Sequence, residues 1–149
     1  MFVAVMSGLK VGGFIAAYLG LFLLHAASGW RSLSKQYSSN ESIPCRGALF
    51  RLALVYVGPT DWMSMLTTGT RVCVDQDGLR LSVPFWSRAF HPPLYIPWSA
   101  VPECTKCRSG DECLITVSGV PIRFTGRLAT AVLDQHARAQ SSPPTQATR

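Results

Sequence analysis

Residues 71–83, "RVCVDQDGLRLSV", decide the fold class, because apolar and polar side chains alternate on both sides of a turn signal. Alternation with a period of two is typical of a strand that turns one face toward a core. The dipeptide Asp77-Gly78 in the middle is a strong hairpin signal. The stretch therefore predicts two antiparallel strands, whose inward residues are Val72, Val74, Leu79, Leu81 and Val83.

The same pattern recurs on both sides of this hairpin. In "DECLITVSGVPIRF", residues 111–124, the dipeptide Ser118-Gly119 separates two alternating runs, so a second hairpin is predicted. In "LFRLALVYV", residues 49–57, the alternation predicts one strand with Arg51 on its mixed face. The apolar face of that strand is expected to carry Phe50, Leu52, Leu54 and Tyr56.

Residues 91–101, "HPPLYIPWSAV", lie between the two hairpins and hold three prolines among large apolar side chains. They are compatible with a buried strand, a proline-rich ligand for another protein, or an aromatic loop that touches a membrane. A proline-rich ligand is solvated around its prolines, whereas Leu94, Ile96 and Trp98 here form one apolar face. We predict a strand with Pro97 at an edge or a bulge, where its missing N–H is not needed.

A helical period returns near the C-terminus. Between Gly126 and Ala139 one face carries Leu128, Val132 and Leu133, which predicts an amphipathic helix. Residues 140–149 contain no large apolar side chain and are predicted to be a disordered tail.

The N-terminal part is apolar, with no charged side chain from Val11 to Ala27. Charged residues make up 15% of the chain, against about 25% in globular proteins, and about 20 apolar residues cross a bilayer. After a short segment of residues 1–10, we predict a transmembrane anchor over residues 11–30. Residues 31–46 are then expected to form a juxtamembrane helix and a linker.

A cleaved signal peptide is the alternative to an anchor, since Lys10 precedes the apolar run and "AAS" before Gly29 resembles a cleavage site. The apolar region of a signal peptide is about 7–15 residues long, which is shorter than this run. We therefore favour the anchor, and the alternative is a secreted or periplasmic β-domain released near Gly29.

The orientation of the anchor follows from its flanking charges. Arg31, Lys35, Arg46 and Arg51 all follow the apolar run, so the positive-inside rule predicts a single-pass protein of the plasma (inner) membrane with a cytoplasmic C-terminal domain. Five cysteines, an odd number, agree with reduced thiols, whereas a secreted domain is expected to hold disulfides.

Small residues recur within the predicted anchor. Gly12, Ala16 and Gly20 fall four positions apart, a spacing that lets two membrane helices approach closely. This stripe predicts a homodimer, although glycine and alanine are also common in membrane helices generally.

The order of "GLRLSV", "HPPLYIPWSAV", a hairpin and a terminal helix resembles the pleckstrin-homology-like (PH-like) domains of the GRAM and bacterial PH types. The stretch "SGWRSLSKQY" after a single apolar span is similar to a group of small uncharacterised bacterial single-span membrane proteins. The resemblance covers roughly residues 28–136. It implies an N-terminal transmembrane helix and a mainly-β (α+β) PH-like domain over residues 47–139, closed by the C-terminal helix, and it carries no established activity.

The sequence contains no evident catalytic constellation. Cys104 and Cys107 have the spacing of half a zinc site and Cys113 follows, but no second cysteine pair completes four ligands. We therefore expect a non-enzymatic protein without metal or cofactor, and a cysteine-dependent metal-binding domain is the weaker alternative. The net charge of +6 is spread over many strands, which does not favour nucleic-acid binding.

An anionic lipid surface or a protein partner remains the expected ligand, for a scaffold or interaction module at the membrane. Arg31 and Lys35 are near enough to the predicted anchor to contact anionic headgroups. The stretches "TDWMSML" and "PFWSRAF" either dip into the headgroups or cover the core. The candidate contact residues are Trp30, Arg31, Lys35, Trp62, Trp86 and Arg88.

Overall fold

A computed structural model describes residues 29–39, 44–58, 69–85, 88, 91–107 and 110–141. The elements they form include two helices, eight strands and a 3₁₀ turn. In chain order they are α1 (Trp30–Tyr37), β1 (Ala48–Ala53), β2 (Val55–Val57), β3 (Thr70–Val74), β4 (Gly78–Ser82), β5 (Leu94–Pro97), the 3₁₀ turn (Trp98–Ala100), β6 (Cys104–Lys106), β7 (Glu112–Val117), β8 (Val120–Thr125) and α2 (Gly126–Ser141).

The strands make two four-stranded antiparallel sheets. Sheet 1 has the order β1-β3-β4-β5, and sheet 2 has the order β2-β8-β7-β6. Because Leu54 alone separates β1 from β2, the first stretch of chain passes directly from the edge of sheet 1 to the edge of sheet 2. Apolar side chains from both sheets and both helices meet in one core.

Both predicted hairpins are confirmed. In the first, Val72 lies opposite Leu81 and Val74 lies opposite Leu79, and all four are buried. In the second, Val117 pairs with Val120 across the two-residue turn. Ser118 and Gly119 in this turn have φ of 48° and 79°, the left-handed conformation that two-residue hairpins require.

The strand predicted in residues 91–101 is also confirmed. β5 is an edge strand of sheet 1, with Leu94 and Ile96 fully buried and Pro97 as its last residue. The Trp98 indole that follows is buried, and its Nε1 donates a hydrogen bond to the Asp75 carbonyl oxygen at 2.9 Å. The stretch is therefore part of the core and is not available as a proline-rich ligand.

The C-terminal helix is confirmed and closes one opening between the sheets. α2 packs against β6, β7 and β8 of sheet 2 and against β1 and β3 of sheet 1. Leu128, Ala129 and Val132 are its buried residues. It ends at Ser141, two residues beyond the predicted limit, and residues 142–149 of the predicted tail lie outside the described residues.

Helix α1 belongs to the same core, although the sequence predicted a juxtamembrane segment there. Trp30 and Leu33 are 2% and 0% exposed. The Trp30 Nε1 donates to the Pro92 carbonyl oxygen before β5 at 2.9 Å, and the Tyr37 hydroxyl lies 3.1 Å from the Ser118 hydroxyl in sheet 2. α1 therefore connects the outer strand of sheet 1 with the β7–β8 turn of sheet 2.

The structure corrects the predicted fold class and the predicted membrane location. Among the described helices, none combines the length and the apolar character that crossing a bilayer requires. Residues 11–28 of the predicted span, including Gly12, Ala16 and Gly20, lie outside the described residues, and the last residue of that span, Trp30, is buried in the domain. The described residues form a mainly β domain with a C-terminal helix, and the predicted single-pass arrangement finds no support among them.

Candidate functional site

A bulge in β1 places a leucine on the surface. Phe50 pairs with Val72 and Ala53 pairs with Thr70, so two residues of β1, Arg51 and Leu52, face a single residue of β3. Such a two-against-one arrangement bends the strand and redirects its side chains. Leu52 has φ of 57° and is 80% exposed, the largest value among the exposed apolar side chains of the described chain.

Phe85 extends the apolar surface beside this bulge. Its side chain is 75% exposed, and Leu54 next to the bulge is 44% exposed. Gly69 lies between the two parts, since a Cβ atom added there would be 3.5 Å from Pro84 Cγ and 3.9 Å from Leu52 Cδ2. Leu52 therefore lies close to Pro84, the residue that precedes Phe85.

Arginines surround this apolar surface. Arg71 is the β3 residue opposite the bulge, and it is exposed, as is Arg51. Arg88 is held near Phe85, because its backbone N–H donates to the Phe85 carbonyl at 3.3 Å and its Nε donates to the Val83 carbonyl at 3.4 Å. We name this surface the leucine–arginine edge; it consists of Arg51, Leu52, Leu54, Arg71, Phe85 and Arg88.

The charges of this edge are unbalanced within the part of the chain that the structure describes. Among the described residues, an ion pair joins Arg80 to Asp75 at 3.9 Å, outside this edge. Neither Arg51 nor Arg71 makes an ion pair with a described residue. Like charges that face each other across a strand pair are destabilising. An anion bound at the edge would offset this repulsion.

The predicted contact residues are divided between two opposite edges of sheet 1 and the undescribed segments. Arg31 and Lys35 are exposed on α1, which packs on β5, the strand at the far edge from β1. Trp30 is buried, so its indole cannot reach a surface ligand. Arg88 lies in the leucine–arginine edge, and Trp62 and Trp86 lie outside the described residues.

The sequence prediction for the two leucines of this edge was wrong. It placed Leu52 and Leu54 on the inward face with Phe50 and Tyr56, but the bulge reverses the alternation, so Val55 and Val57 are buried instead. Strict alternation through residues 49–57 contains no signal for a bulge. Phe85 lies in the stretch "PFWSRAF", for which contact with headgroups was one of the two predicted alternatives.

The buried carboxylate of Asp75 has a structural role. Its Oδ1 accepts the Gln76 backbone N–H at 2.8 Å, and its Oδ2 accepts the Arg46 backbone N–H at 3.4 Å. Asp75 is 5% exposed, and the Arg80 guanidinium that approaches it also lies 5.2 Å from the centre of the Tyr95 ring. These contacts fix the β3–β4 turn and attach the segment before β1 to it.

All five cysteines are described. Cys45 and Cys73 form a disulfide, with a Cα–Cα distance of 5.9 Å, although reduced thiols were expected. Cys104, Cys107 and Cys113 are free. The described residues contain no grouping of three or more histidine, cysteine or acidic side chains that is able to hold a metal ion.

The two described histidines each pack on a different tryptophan. His91 is buried with its ring centre 5.5 Å from that of Trp30. His136 packs on Trp98 at 5.9 Å, and its Nε2 lies 3.0 Å from the Val101 carbonyl oxygen, so that the Nε2–H tautomer donates there. Both positions are explained by packing, and no nucleophile lies beside either ring in the contacts described.

Comparison with known proteins assigns no family to this chain. No protein-family model matches it, and no curated protein matches it closely enough to count as a relative.

Proposed function

We propose that this protein is a non-enzymatic binding module of PH-like layout, which contacts an anionic phospholipid surface peripherally through the leucine–arginine edge. The layout is supported by the strand order, in which the first stretch of chain joins two antiparallel sheets and a C-terminal helix closes one opening.

The observation that carries the proposal is the bulge at Leu52. A non-glycine residue in the left-handed region costs about 1–2 kcal/mol, and Leu52 buries almost nothing in return, being 80% exposed. Strain of this kind persists where the surrounding structure imposes it, and it is concentrated at functional sites. Leu52 and Phe85 are both largely exposed, and such apolar side chains are suited to the apolar layer below lipid headgroups.

The arginines favour lipid over a neutral protein partner. A basic side chain near an anionic membrane contributes about 1 kcal/mol, so Arg51 and Arg71 together are worth about 2 kcal/mol, or roughly 30-fold in affinity. The guanidinium groups would pair with phosphate oxygens while Leu52 and Phe85 enter the layer beneath.

Sedimentation with vesicles tests this proposal. A chain of residues 29–149 keeps every residue of the described core and removes the apolar N-terminal run, which would bind vesicles by itself. We expect it to bind phosphatidylcholine vesicles that contain phosphatidylglycerol and not those of phosphatidylcholine alone. Binding should weaken as salt is raised, because exposed charges are screened.

Two matched double variants locate the contact surface. Arg51→Gln with Arg71→Gln should lower the affinity roughly 30-fold, whereas Arg31→Gln with Lys35→Gln removes the same charge from the opposite edge and should change it little. Absence of binding at low salt would reject the lipid proposal and leave a protein partner. Equal losses in the two variants would reject the leucine–arginine edge as the contact surface.

The disulfide supports a second proposal, which concerns the cellular compartment of the domain. Disulfides persist in oxidising compartments, and Cys45–Cys73 joins the segment before β1 to sheet 1. We propose an exported domain, released by signal-peptide cleavage near Gly29. The intact mass of the protein from its own cells should lack residues 1–28 and be lower by about 2 Da for the closed disulfide; a full-length, fully reduced chain would contradict export.

A further inference from the structure

A small cavity lies between the β3–β4 turn and helix α2. Its volume is about 260 Å³, and the described residues that line it are Gln76, Gln135, Arg138 and Ala139. Gln76 belongs to the turn, and the other three occupy positions i, i+3 and i+4 of α2, which share one face of a helix. Sites for drug-sized ligands measure about 300–1,000 Å³, so this cavity suits a smaller molecule.

Trp98 holds both walls of this cavity. Its Nε1 donates to the Asp75 carbonyl oxygen at 2.9 Å, and its backbone N–H donates to the Asp77 carbonyl oxygen at 3.2 Å. The indole is thus bonded to the turn on both sides of Gln76. Its ring also packs on that of His136, with 5.9 Å between the ring centres, and His136 lies among the lining residues of α2. The cavity is therefore formed before any ligand enters it.

The lining combines one cation with two carboxamides. The Arg138 guanidinium carries donors only, and its planar shape matches the two oxygens of a carboxylate. The side chains of Gln76 and Gln135 each donate and accept, which suits hydroxyl groups because these also do both. A ligand that carries a carboxylate and several hydroxyl groups would satisfy all three side chains.

The charges around the cavity favour a ligand with a single negative charge. Asp77 and Asp134 adjoin lining residues in sequence, both are exposed, and neither is among the described lining residues. Arg138 lies in the last turn of α2, and the C-terminal end of a helix carries a partial negative charge. A second negative charge on the ligand would be repelled by these groups, so a monocarboxylate fits better than a dicarboxylate or a phosphate.

We propose that this cavity binds a small hydroxylated monocarboxylic acid of the sugar-acid class, with its carboxylate on Arg138 and its hydroxyl groups on Gln76 and Gln135. The site is separate from the leucine–arginine edge. Gln76 follows the C-terminal end of β3, whereas the bulge of β1 faces the other end of that strand, between Thr70 and Val72.

Isothermal titration calorimetry with D-gluconate tests the proposal on the full-length protein. Because the N-terminal run is apolar, the protein is kept in a detergent without a sugar headgroup. Sorbitol is the matched neutral probe, since a CH₂OH group replaces the carboxylate of gluconate. We expect saturable binding of gluconate, and sorbitol should bind about tenfold more weakly or worse because the charge-assisted hydrogen bonds are lost. Succinate and inorganic phosphate should also bind more weakly than gluconate.

Two arginine variants of α2 locate the site. Arg138→Gln should lower the affinity for gluconate about tenfold. Arg127→Gln removes the same charge from the first turn of α2 and should leave the affinity unchanged. Both side chains are exposed, so urea unfolding of the two variants should match wild type within about 0.5 kcal/mol.

Three results would overturn the proposal. The first is a Kd of wild-type protein for gluconate weaker than about 10 mM. The second is an equal loss of affinity in Arg127→Gln and Arg138→Gln, which would indicate attraction by net charge alone. The third is tighter binding of succinate or phosphate than of gluconate, which would exclude the proposed class of ligand.

Discussion

Leu52 has a strained backbone and an exposed side chain, so a substitution there should weaken vesicle binding without changing the stability of the domain. With φ of 57°, it occupies a region that asparagine tolerates better than leucine. We predict that Leu52→Asn changes the free energy of unfolding by less than about 0.5 kcal/mol, while vesicle binding falls. Urea denaturation and vesicle sedimentation of the same preparation measure the two effects.

A core leucine supplies the control for this variant. Leu81 is 1% exposed in β4, and Leu81→Ala should lower the free energy of unfolding by about 2–5 kcal/mol. If Leu52→Asn destabilises the domain as much as Leu81→Ala does, Leu52 packs against something, and the proposal of an exposed contact residue is wrong.

Gly78 is needed because β5 lies close to it, and not only for the turn that the Asp77-Gly78 pair predicted. The Asp77-Gly78 pair predicted a hairpin turn, and Gly78 is the first residue of β4 and is not among the residues with positive φ. A Cβ atom there would overlap the Ile96 carbonyl oxygen and lie 2.8 Å from the Pro97 Cα. The absence of a side chain therefore allows β4 to approach β5.

We predict that Gly78→Ala is more destabilising than Gly119→Ala. The first variant forces a methyl group against the backbone of β5, at a cost of about 1–3 kcal/mol or more. The second adds a methyl group with nothing within 4 Å, so its cost is only the left-handed penalty of about 1–2 kcal/mol. Thermal or urea unfolding of both variants gives the order, and the reverse order would contradict this account of Gly78.

At the residue scale, sequence patterns identified which residues are apolar but not always where they point. Val72, Val74, Leu79 and Leu81 were correctly placed in the core, because regular pairing preserves alternation. Leu52 and Leu54 were misplaced because one extra residue in β1 changes the side on which every following residue falls. A bulge depends on the partner strand, which a local pattern does not reveal.

Helix α1 is the element whose role differs most between sequence and structure. It carries Trp30, whose ring is 2% exposed and whose Nε1 is bonded to the Pro92 carbonyl. We predict that Trp30→Ala lowers the free energy of unfolding by about 3–5 kcal/mol, measured by urea denaturation on residues 29–149. Arg31→Ala, on the exposed side of the same turn, should change it by less than about 0.5 kcal/mol.

These two variants distinguish a core helix from a segment attached to the outside of the domain. If Trp30→Ala leaves the unfolding midpoint of the domain unchanged, α1 does not belong to the cooperative unit. The sequence of α1 favoured an interfacial helix, because tryptophan beside basic residues is typical of a membrane exit. Tryptophan is also common in protein cores. The hydrogen bond from the Trp30 indole to the Pro92 carbonyl oxygen, which is distant in sequence, decides between the two roles.

The Cys45–Cys73 disulfide joins parts of the molecule that are 28 residues apart in sequence. Closing a loop of this size removes entropy from the unfolded chain and is worth about 3–4 kcal/mol. We predict that Cys45→Ser with Cys73→Ser lowers the free energy of unfolding by about this amount, and that reduction of the wild-type protein has the same effect. A change below about 0.5 kcal/mol under both conditions would mean that the disulfide does not constrain the domain.

At the scale of the whole molecule, the two hairpins and the closing helix were predictable, while the full set of eight strands and the way they assemble were not. Each hairpin is local, so its residues and turn contain the needed information. The passage of β1 and β2 between sheets, the closure by α1 and the pairing of Cys45 with Cys73 all depend on contacts between distant parts of the chain. The leucine–arginine edge exists only after that assembly. Of its members, the sequence indicated only Arg88 and, within the stretch "PFWSRAF", Phe85.

Hydrogen exchange of residues 29–149, with and without phosphatidylglycerol vesicles, tests the proposed contact surface most directly. The account predicts that lipid slows exchange in β1 around Leu52 and in the segment around Phe85, and leaves the exposed turns of α1 around Arg31 and Lys35 unchanged. Slower exchange confined to α1, or no change anywhere at low salt, would contradict it.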